Sequence, residues 1–302
     1  MLSIVFVNYN TSRFIGECIK SIQMYEVNYM DYEYIIVDNN SGDTGLDELK
    51  KNYAFIKIIK APGNGGFAYG NNIGIRASTG NYILLLNPDT YLEENAIEKM
   101  IDRMESDDTI SFIGPQLLYP DKSNQSYFLP KTYLTPWRLF CERFYLHRIF
   151  PKSLLFNSYY RTYMDYNREC YVEQISGAAF LFRRDVVEKI GLLDENYFMY
   201  FEESDYCYQA IMHGYKMIYY PESKIIHIGG LGKPVNWNRS TESYSKSFKY
   251  YFIKNYSYRI FLFTALLQAI GAVIRIIVLF IKHDEKYKYH FYYLKNILLK
   301  SK

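Results

Sequence analysis

The sequence predicts an α/β fold: a mostly parallel sheet flanked by helices, followed by a helical C-terminal region. Three observations predict it. Over the first 120 residues, strand-like and helix-like stretches alternate. The strand-like stretches are continuous apolar runs, as strands covered on both faces require. Beyond about residue 235 the strand signals stop, and one long apolar segment and a basic, aromatic tail follow.

The elements run as follows. "SIVFVNYN" (3–10) reads as a strand, and Ile15, Ile19 and Ile22 then fall at helical spacing over 13–25, with Ser12 as N-cap. "YEYIIVDNN" (32–40) is a second strand, ending in a turn cluster from Asp38 to Gly42. "FIKIIKA" (55–61) is a third and "NYILLLNPD" (81–89) a fourth; a Gly/Asn-rich loop and a short helix separate them. "EENAIEKMIDRMES" (93–106) reads as a helix and "ISFIGPQLLY" (110–119) as a strand. Residues 120–172, rich in Tyr, Arg and Pro, read as an insertion or lid. A strand and helix return in "ISGAAFLFRRDVVEKIG" (175–191), and two short strands, "KMIYYP" and "KIIHIGG", close the globular part near residue 230. Ligands of such sheets bind at the carboxyl ends of the strands, which places Asn8, Asp38 and Asp89 on one edge.

The 302 residues are 49% hydrophobic and 22% charged, a folded chain able to bury a large core. A net charge of +3, with no RNP, zinc-finger or helix-turn-helix pattern, argues against nucleic acid as a partner. The 34 tyrosines suit wet apolar surfaces such as sugar clefts and membrane interfaces, although a compositional bias of the source explains them as well. Cys18, Cys141, Cys170 and Cys207 are scattered and form no CxxC, which points to a reducing compartment. "MLSIVFVNYN" has neither a basic n-region nor a cleavage site, so no signal peptide is read there.

Several residues carry chemistry or an ordinary structural role. Asp38 could cap an Asx-turn or accept the imino N–H of a pyrimidine base. The loop 63–74 holds five glycines and fits neither the GxxxxGK(S/T) nor the GxGxxG fingerprint; its glycines could let backbone N–H groups approach a ligand. Asp89 could be an N-terminal acid for the helix at 93–106 or a metal-binding carboxylate, with Asn87 adding a neutral oxygen. "FEESDYC" sets Glu202, Glu203 and Asp205 near a helix start, either as dipole partners or as a cluster that raises one member into a general base. His227, before Gly229 and Gly230, is either structural or able to reach a metal.

Together and in this order, "VFVNYN", "IIVDNNSGD", "NGGFAYGNNIGI", "GNYILLLNPDT", "ISGAAFLFRRDVVEKIGLLDENYFMYFEESDYC" and "HIGG" resemble family 2 glycosyltransferases of the GT-A fold, near their rhamnosyltransferase-like branch. The resemblance covers residues 1–230 and implies a domain over 1–235, with a nucleotide-sugar half (1–120) and an acceptor and catalytic half (173–235). It implies donor contacts from Asn8, Asn10, Asp38, Asn40, Asn64, Gly65, Gly66, Asn71, Asn72 and Asn87, with Asp38 on the base. Asp89 would stand at the last aspartate of the family's metal motif, whose first position is here Asn87. His227 would be the second contact to a divalent Mn²⁺ or Mg²⁺ or to the diphosphate. Glu203 takes the position of the catalytic base, usually Asp, with Asp205 the alternative; Glu202, Gly177 and Ala178 would border the acceptor.

The implied reaction is an inverting transfer from a nucleotide-sugar, dTDP-rhamnose first, to a saccharide or polyprenyl-linked acceptor in cell-surface polysaccharide synthesis. Alternatives are a UDP-hexose donor or a carbohydrate-binding relative without catalysis. A sugar nucleotidyltransferase would carry a basic Gly-rich loop after the first strand, where this chain reads "NYNTSRF".

Residues 236–302 lie outside the resemblance. "IFLFTALLQAIGAVIRIIVLFI" (260–281) carries Thr264, Gln268, Gly271 and Arg275 on one narrow helical stripe. An Arg in a span costs up to roughly 2.5–3.5 kcal/mol. Peripheral membrane contact through 260–302, an oligomer interface or packing on the domain, and a true span are the three readings. The first implies a cytoplasmic protein on the inner face of the plasma membrane.

Overall fold

The computed structural model describes residues 1–26, 32–125, 131–229 and 237–299. They form two compact units: 1–131, 165–195 and 202–231 in one, and 132–164, 196–201 and 232–302 in the other.

The first unit is built on a sheet. Its parallel half is β1 (Leu2–Asn8), β2 (Tyr32–Asp38), β3 (Lys57–Lys60) and β4 (Tyr82–Leu86) in the order β3-β2-β1-β4. Between them run α1 (Ser12–Tyr25), α2 (Gly45–Asn52) and α3 (Gly66–Ala77). The sheet then turns mixed. After β5 (Thr90–Tyr91), α4 (Ala96–Glu105) and β6 (Ile110–Leu118), the strand β8 (Ala179–Arg183) pairs antiparallel with both β4 and β6. β9 (Lys216–His227) runs parallel to β6, and both β5 and β7 (Cys170–Val172) pair antiparallel with β9. α7 (Arg184–Ile190) and α8 (Glu202–Met212) complete the unit.

Alternate strand residues feed separate cores. Leu2, Ile4, Phe6, Leu84 and Leu86 join Ile15, Ile19, Ile97 and Met100 of α1 and α4 on one face. Val5, Ile83 and Leu85 join Ile75, Val186 and Cys207 of α3, α7 and α8 on the other. That two-sided burial explains why these strands read as unbroken apolar runs.

Three local readings are corrected. The stretch at 216–227 is one strand, because Pro221, Glu222 and Ser223 bulge out of the pairing: Pro115 opposes Tyr220 and Gln116 opposes Lys224. Ser12 is the first residue of α1 and not its cap; Asp43 caps the helix from a distant loop, accepting from Ser12 N at 2.8 Å and Ser12 Oγ at 2.7 Å. The glycines inside α3 serve packing. A Cβ at Gly70 would lie 2.7 Å from Val7 Cγ1 and one at Gly74 2.2 Å from Val5 Cγ1, so the helix rests directly on β1. Gly74→Ala is expected to destabilise the protein by about 1–3 kcal/mol through overpacking. The shift of the urea midpoint measures it, and an unshifted midpoint contradicts this packing.

The second unit consists of helices: α5 (Pro136–Arg143), α6 (Leu146–Ile149), α9 (Trp237–Asn255), α10 (Tyr258–Ile281) and α11 (Tyr287–Leu299). Residues 132–164 therefore cluster with the C-terminal helices, where the sequence suggested an insertion or lid. The core is aromatic, with Tyr197, Phe201, Phe248, Tyr251, Phe252, Phe261 and Tyr293 all buried. Part of the tyrosine content thus fills an interior.

Candidate active site

Topology alone brings the candidate residues to one edge of the sheet. β1, β2 and β4 end there with Asn8, Asp38 and Leu86. β8 runs the other way, so it begins at that edge, and Ala179 pairs with Leu86. β9 ends there at His227, which pairs with Thr90. Asn87 N donates to Ala178 O at 2.9 Å, and Ile228 N to Asp89 O at 2.9 Å. The turn carrying Asn87 and Asp89 is thereby fixed between the start of β8 and the end of β9.

At the tip of β2, Asp38 is buried, and all its hydrogen bonds fall on Oδ1: from Ser41 Oγ at 2.6 Å, Ser41 N at 3.2 Å and Asn8 Nδ2 at 3.3 Å. The turn-capping role is therefore present, and Oδ2 is left to accept from elsewhere. Asn8 has nothing to spare. Its Nδ2 also donates to Ser41 Oγ, and its Oδ1 accepts from Thr11 N and Oγ1, each at 3.0 Å. Asn8 thus ties the two strand ends together at the edge where its sequence position suggested a donor contact.

The glycine loop is pinned by Asn39, which sequence reasoning passed over for its neighbours. Its Nδ2 donates to Asn64 Oδ1 at 3.1 Å and Gly66 O at 2.9 Å. Asn64 Oδ1 also accepts from Gly66 N, and Gly66 takes a left-handed φ of 92°. Gly65 N faces Asn39 Oδ1 at 3.4 Å. Asn71 and Asn72 have structural partners as well. Both are buried: Asn71 donates to Phe67 O, and Asn72 clamps the loop after α7 through Leu193 O at 2.8 Å, Leu193 N at 3.1 Å and Glu195 Oε1 at 2.8 Å. Asn10 and Asn40 are exposed, in the left-handed region at φ 61° and 56°. Their side chains make no hydrogen bond among the described residues.

Asp89 and His227 form a pair, with Oδ1 and Nε2 3.4 Å apart. Glu26, not Asp89, caps α4, accepting from Ile97 N and Glu98 N. His227 Nδ1 lies 2.9 Å from Gln125 Oε1, while Gln125 Nε2 donates to His227 O. The amide orientation is fixed by that second bond, so Nδ1 carries the proton and Nε2 presents its lone pair towards Asp89. A buried partner that selects the tautomer is the usual support of a metal-binding histidine. Among the described residues no group of three or more His, Cys, Asp or Glu converges on one point. Among the described residues, Asp89 and His227 are thus two groups that could hold a cation completed by phosphate oxygens and water.

The acidic cluster opens α8. Glu202 is buried, and its Oε2 has no hydrogen-bond partner. Burial and then the neighbouring Glu203 raise its carboxyl well above the usual range. Burial raises Glu203 too, and the buried Lys131 ammonium and nearby backbone N–H groups only partly oppose it. Asp205 is 2% exposed. A Cβ at Gly177 would sit 3.7 Å from Glu203 Cβ and 3.5 Å from Phe67, so Gly177 adjoins both Glu203 and the glycine loop. Ser204 is held by Gln174 Nε2 at 2.7 Å. Sequence reasoning missed Lys131, Gln125 and Asn39. The first two lie in an irregular stretch without a motif, whereas Asn39 stands inside "DNN" and was readable there.

The family model described as "Glycosyl transferase family 2" matches residues 3–191. The Low-salt glycan biosynthesis hexosyltransferase of Haloferax volcanii is 28% identical over 69% of this chain and 61% of its own length. A glycosyltransferase of Streptococcus pneumoniae, GlyG, is 28% identical over 42% of this chain and 43% of its own. The match thus spans about half the length of these relatives. Among solved structures, a mannosyltransferase from Pyrobaculum calidifontis in complex with GDP-Man and Mn²⁺ superposes with a TM-score of 0.60 at 13% identity, covering 100% of this chain and 88% of that one. TarS of S. aureus superposes with a TM-score of 0.55, also at 13% identity, over 84% of this chain and 39% of its own. The mixed sheet with flanking helices is thus the GT-A type of fold, with C-terminal helices added. On the family model's coverage, the chain belongs to glycosyl transferase family 2.

Proposed function

We propose that the chain transfers a sugar from a nucleotide-sugar to a hydroxyl of a saccharide or lipid-linked saccharide, with inversion, during assembly of a cell-surface glycan. The observation that carries this reading is the gathering, on one sheet edge, of an Asp38 oxygen free to accept, the Asp89–His227 pair, and Gly177 with Glu203 packed beside it. On this reading residues 1–120 bind the donor, with Asp38 Oδ2 accepting from the base and Asn10, Asn40, Asn64, Gly65, Gly66 and Asn87 bordering it. Residues 173–235 serve acceptor and chemistry, with Gly177, Ala178 and Glu202 around the incoming sugar. dTDP-rhamnose is the first donor to test, and UDP-hexoses follow.

Asp89 and His227 would hold a divalent Mn²⁺ or Mg²⁺, which supplies charge neutralisation for the diphosphate leaving group when bound. The Mn²⁺ in the Pyrobaculum mannosyltransferase complex supports that assignment. Glu203 takes the proton from the acceptor hydroxyl as its oxygen attacks the anomeric carbon. Burial and the neighbouring Glu203 both disfavour a charge on Glu202. On this reading the protein works in the cytoplasm, peripheral to the inner face of the plasma membrane, where a lipid-linked acceptor would be met.

The test is nucleotide release by the full chain from dTDP- and UDP-sugars with Mn²⁺, Mg²⁺ or EDTA. Release is expected to require metal. Asp38→Ala should raise donor KM about 10–100-fold, the worth of one hydrogen bond to a charged group. Absence of both turnover and calorimetric binding across the donor panel would leave the non-catalytic reading in place.

A further inference from the structure

α10 is oriented against the ordinary rule for a surface helix. Thr264, Gln268 and Gly271, the small and polar positions, are buried, and Arg275 Nη2 reaches Glu142 Oε1 of α5 at 2.9 Å. Phe261, Leu267 and Ala272 are buried with them, and many of the remaining apolar residues point outward. Leu262, Leu266, Ile270, Val273, Ile277 and Ile281 are 41–70% exposed and recur at steps of four, four, three, four and four, a stripe along the whole 24-residue helix. Water-facing apolar stripes of such length mark a covered surface.

We infer that α10 lies flat in the interface of an anionic bilayer, with this stripe in the acyl boundary. Two observations select a leaflet. Apart from Arg275, which pairs with Glu142 inside the protein, the segment 258–299 carries five Lys and Arg against two acids, and Arg259, Lys282, Lys286 and Lys295 are exposed. Exposed Tyr258, Phe280, Phe291 and Tyr292 supply the aromatic residues that settle at headgroup level. A second copy of the chain fits less well, since stable protein interfaces carry about one hydrogen bond per 100–200 Å² and the stripe offers no polar side chain. A span is disfavoured because a third of the most apolar window, 33%, is already buried in the protein, with Arg275 paired there. The inference rests on the membrane-peripheral reading above and gives it a surface.

The test uses the full chain and sedimentation with vesicles of phosphatidylcholine alone or mixed with phosphatidylglycerol. Wild type should pellet with the anionic vesicles, less so as salt rises, and should be released by alkaline carbonate. Leu266→Glu and Ile277→Glu should each lower binding at least about tenfold, from the transfer free energy of a leucine-sized side chain, with circular dichroism unchanged. Should either variant misfold, a fluorophore on Ile277→Cys must shift to the blue with anionic vesicles. No pelleting of wild type, retention after carbonate, or a dimer in light scattering that Leu266→Glu dissolves would each overturn the inference. Nucleotide release, measured on the same samples without vesicles, separates its failure from failure of the proposed activity.

Discussion

Replacing Glu203 by Gln is expected to lower sugar transfer about 10²–10⁴-fold, the usual worth of a general base, while donor KM changes little. Glutamine keeps the shape of the side chain and removes its basicity. Gly177 adjoins the Cβ of Glu203, whereas Asp205 is 2% exposed and lies further along α8. The pH dependence adds a second readout. Burial raises the Glu203 carboxyl above its ordinary range, so its proton stays on to a higher pH than in a free glutamate. The base works only when ionised, so kcat should fall as pH drops through that raised value. The Lys131 ammonium opposes the shift; Lys131→Met should therefore move the acidic limb to higher pH without abolishing turnover at alkaline pH. Glu203→Gln should lose the limb altogether. Rate profiles of the three proteins decide the matter. A full-rate Glu203→Gln, or a loss that follows Asp205→Asn instead, moves the base elsewhere.

The parallel half of the fold was readable because its signals are local. Leu84 to Leu86 announce a strand covered on both faces, and the turn residues after Asp38 and Leu86 announce the ligand edge. What short-range pattern cannot express is which asparagine works for the fold. Asn8, Asn71 and Asn72 sit in the sequence among residues proposed to face the donor, and their own partners are Ser41, Phe67 and Leu193, that of Asn72 being 121 positions away. The same applies to Gly70 and Gly74, whose contacts with Val7 and Val5 depend on the helix lying against β1. The second unit was least readable, because its core joins 132–164, 196–201 and 232–302, and no periodicity links segments so far apart. The polar stripe of α10 was visible in sequence; that it faces inward, towards Glu142 and Arg143, was not.

That inward stripe leads to the largest stability effect expected. Among the described residues Glu142 is the carboxylate that pairs with both guanidinium groups: Oε1 lies 2.9 Å from Arg275 Nη2, and Oε2 lies 2.9 Å from Arg143 Nε, without the alignment of a hydrogen bond. The side chains are 11–14% exposed. Burial alone would raise the Glu142 carboxyl, but Arg143 and Arg275 outweigh it and hold it below the usual range. Glu142→Leu removes the shared counter-charge and leaves two cations in the interior, so a loss of about 3–5 kcal/mol is expected in urea unfolding. Converting Glu142, Arg143 and Arg275 together to apolar residues should cost less than Glu142→Leu alone, because no unpaired charge then remains. A dependence on pH follows with a definite sign. A depressed carboxyl stabilises the fold above its unfolded pKa of about 4.3 and stops doing so as pH falls below that value. His290 acts over an earlier window. Burial and then Arg275 and Arg143 push it down to about 4, so the unfolded chain takes up its proton first and stability declines from about pH 6.5 to about 4. His290→Gln should reduce the decline between those values, to which His147 also contributes, and leave the loss below it, which Glu142 shares with Glu33 and Asp43. An unchanged slope in the variant would show that the cations around Glu142 do not reach this histidine.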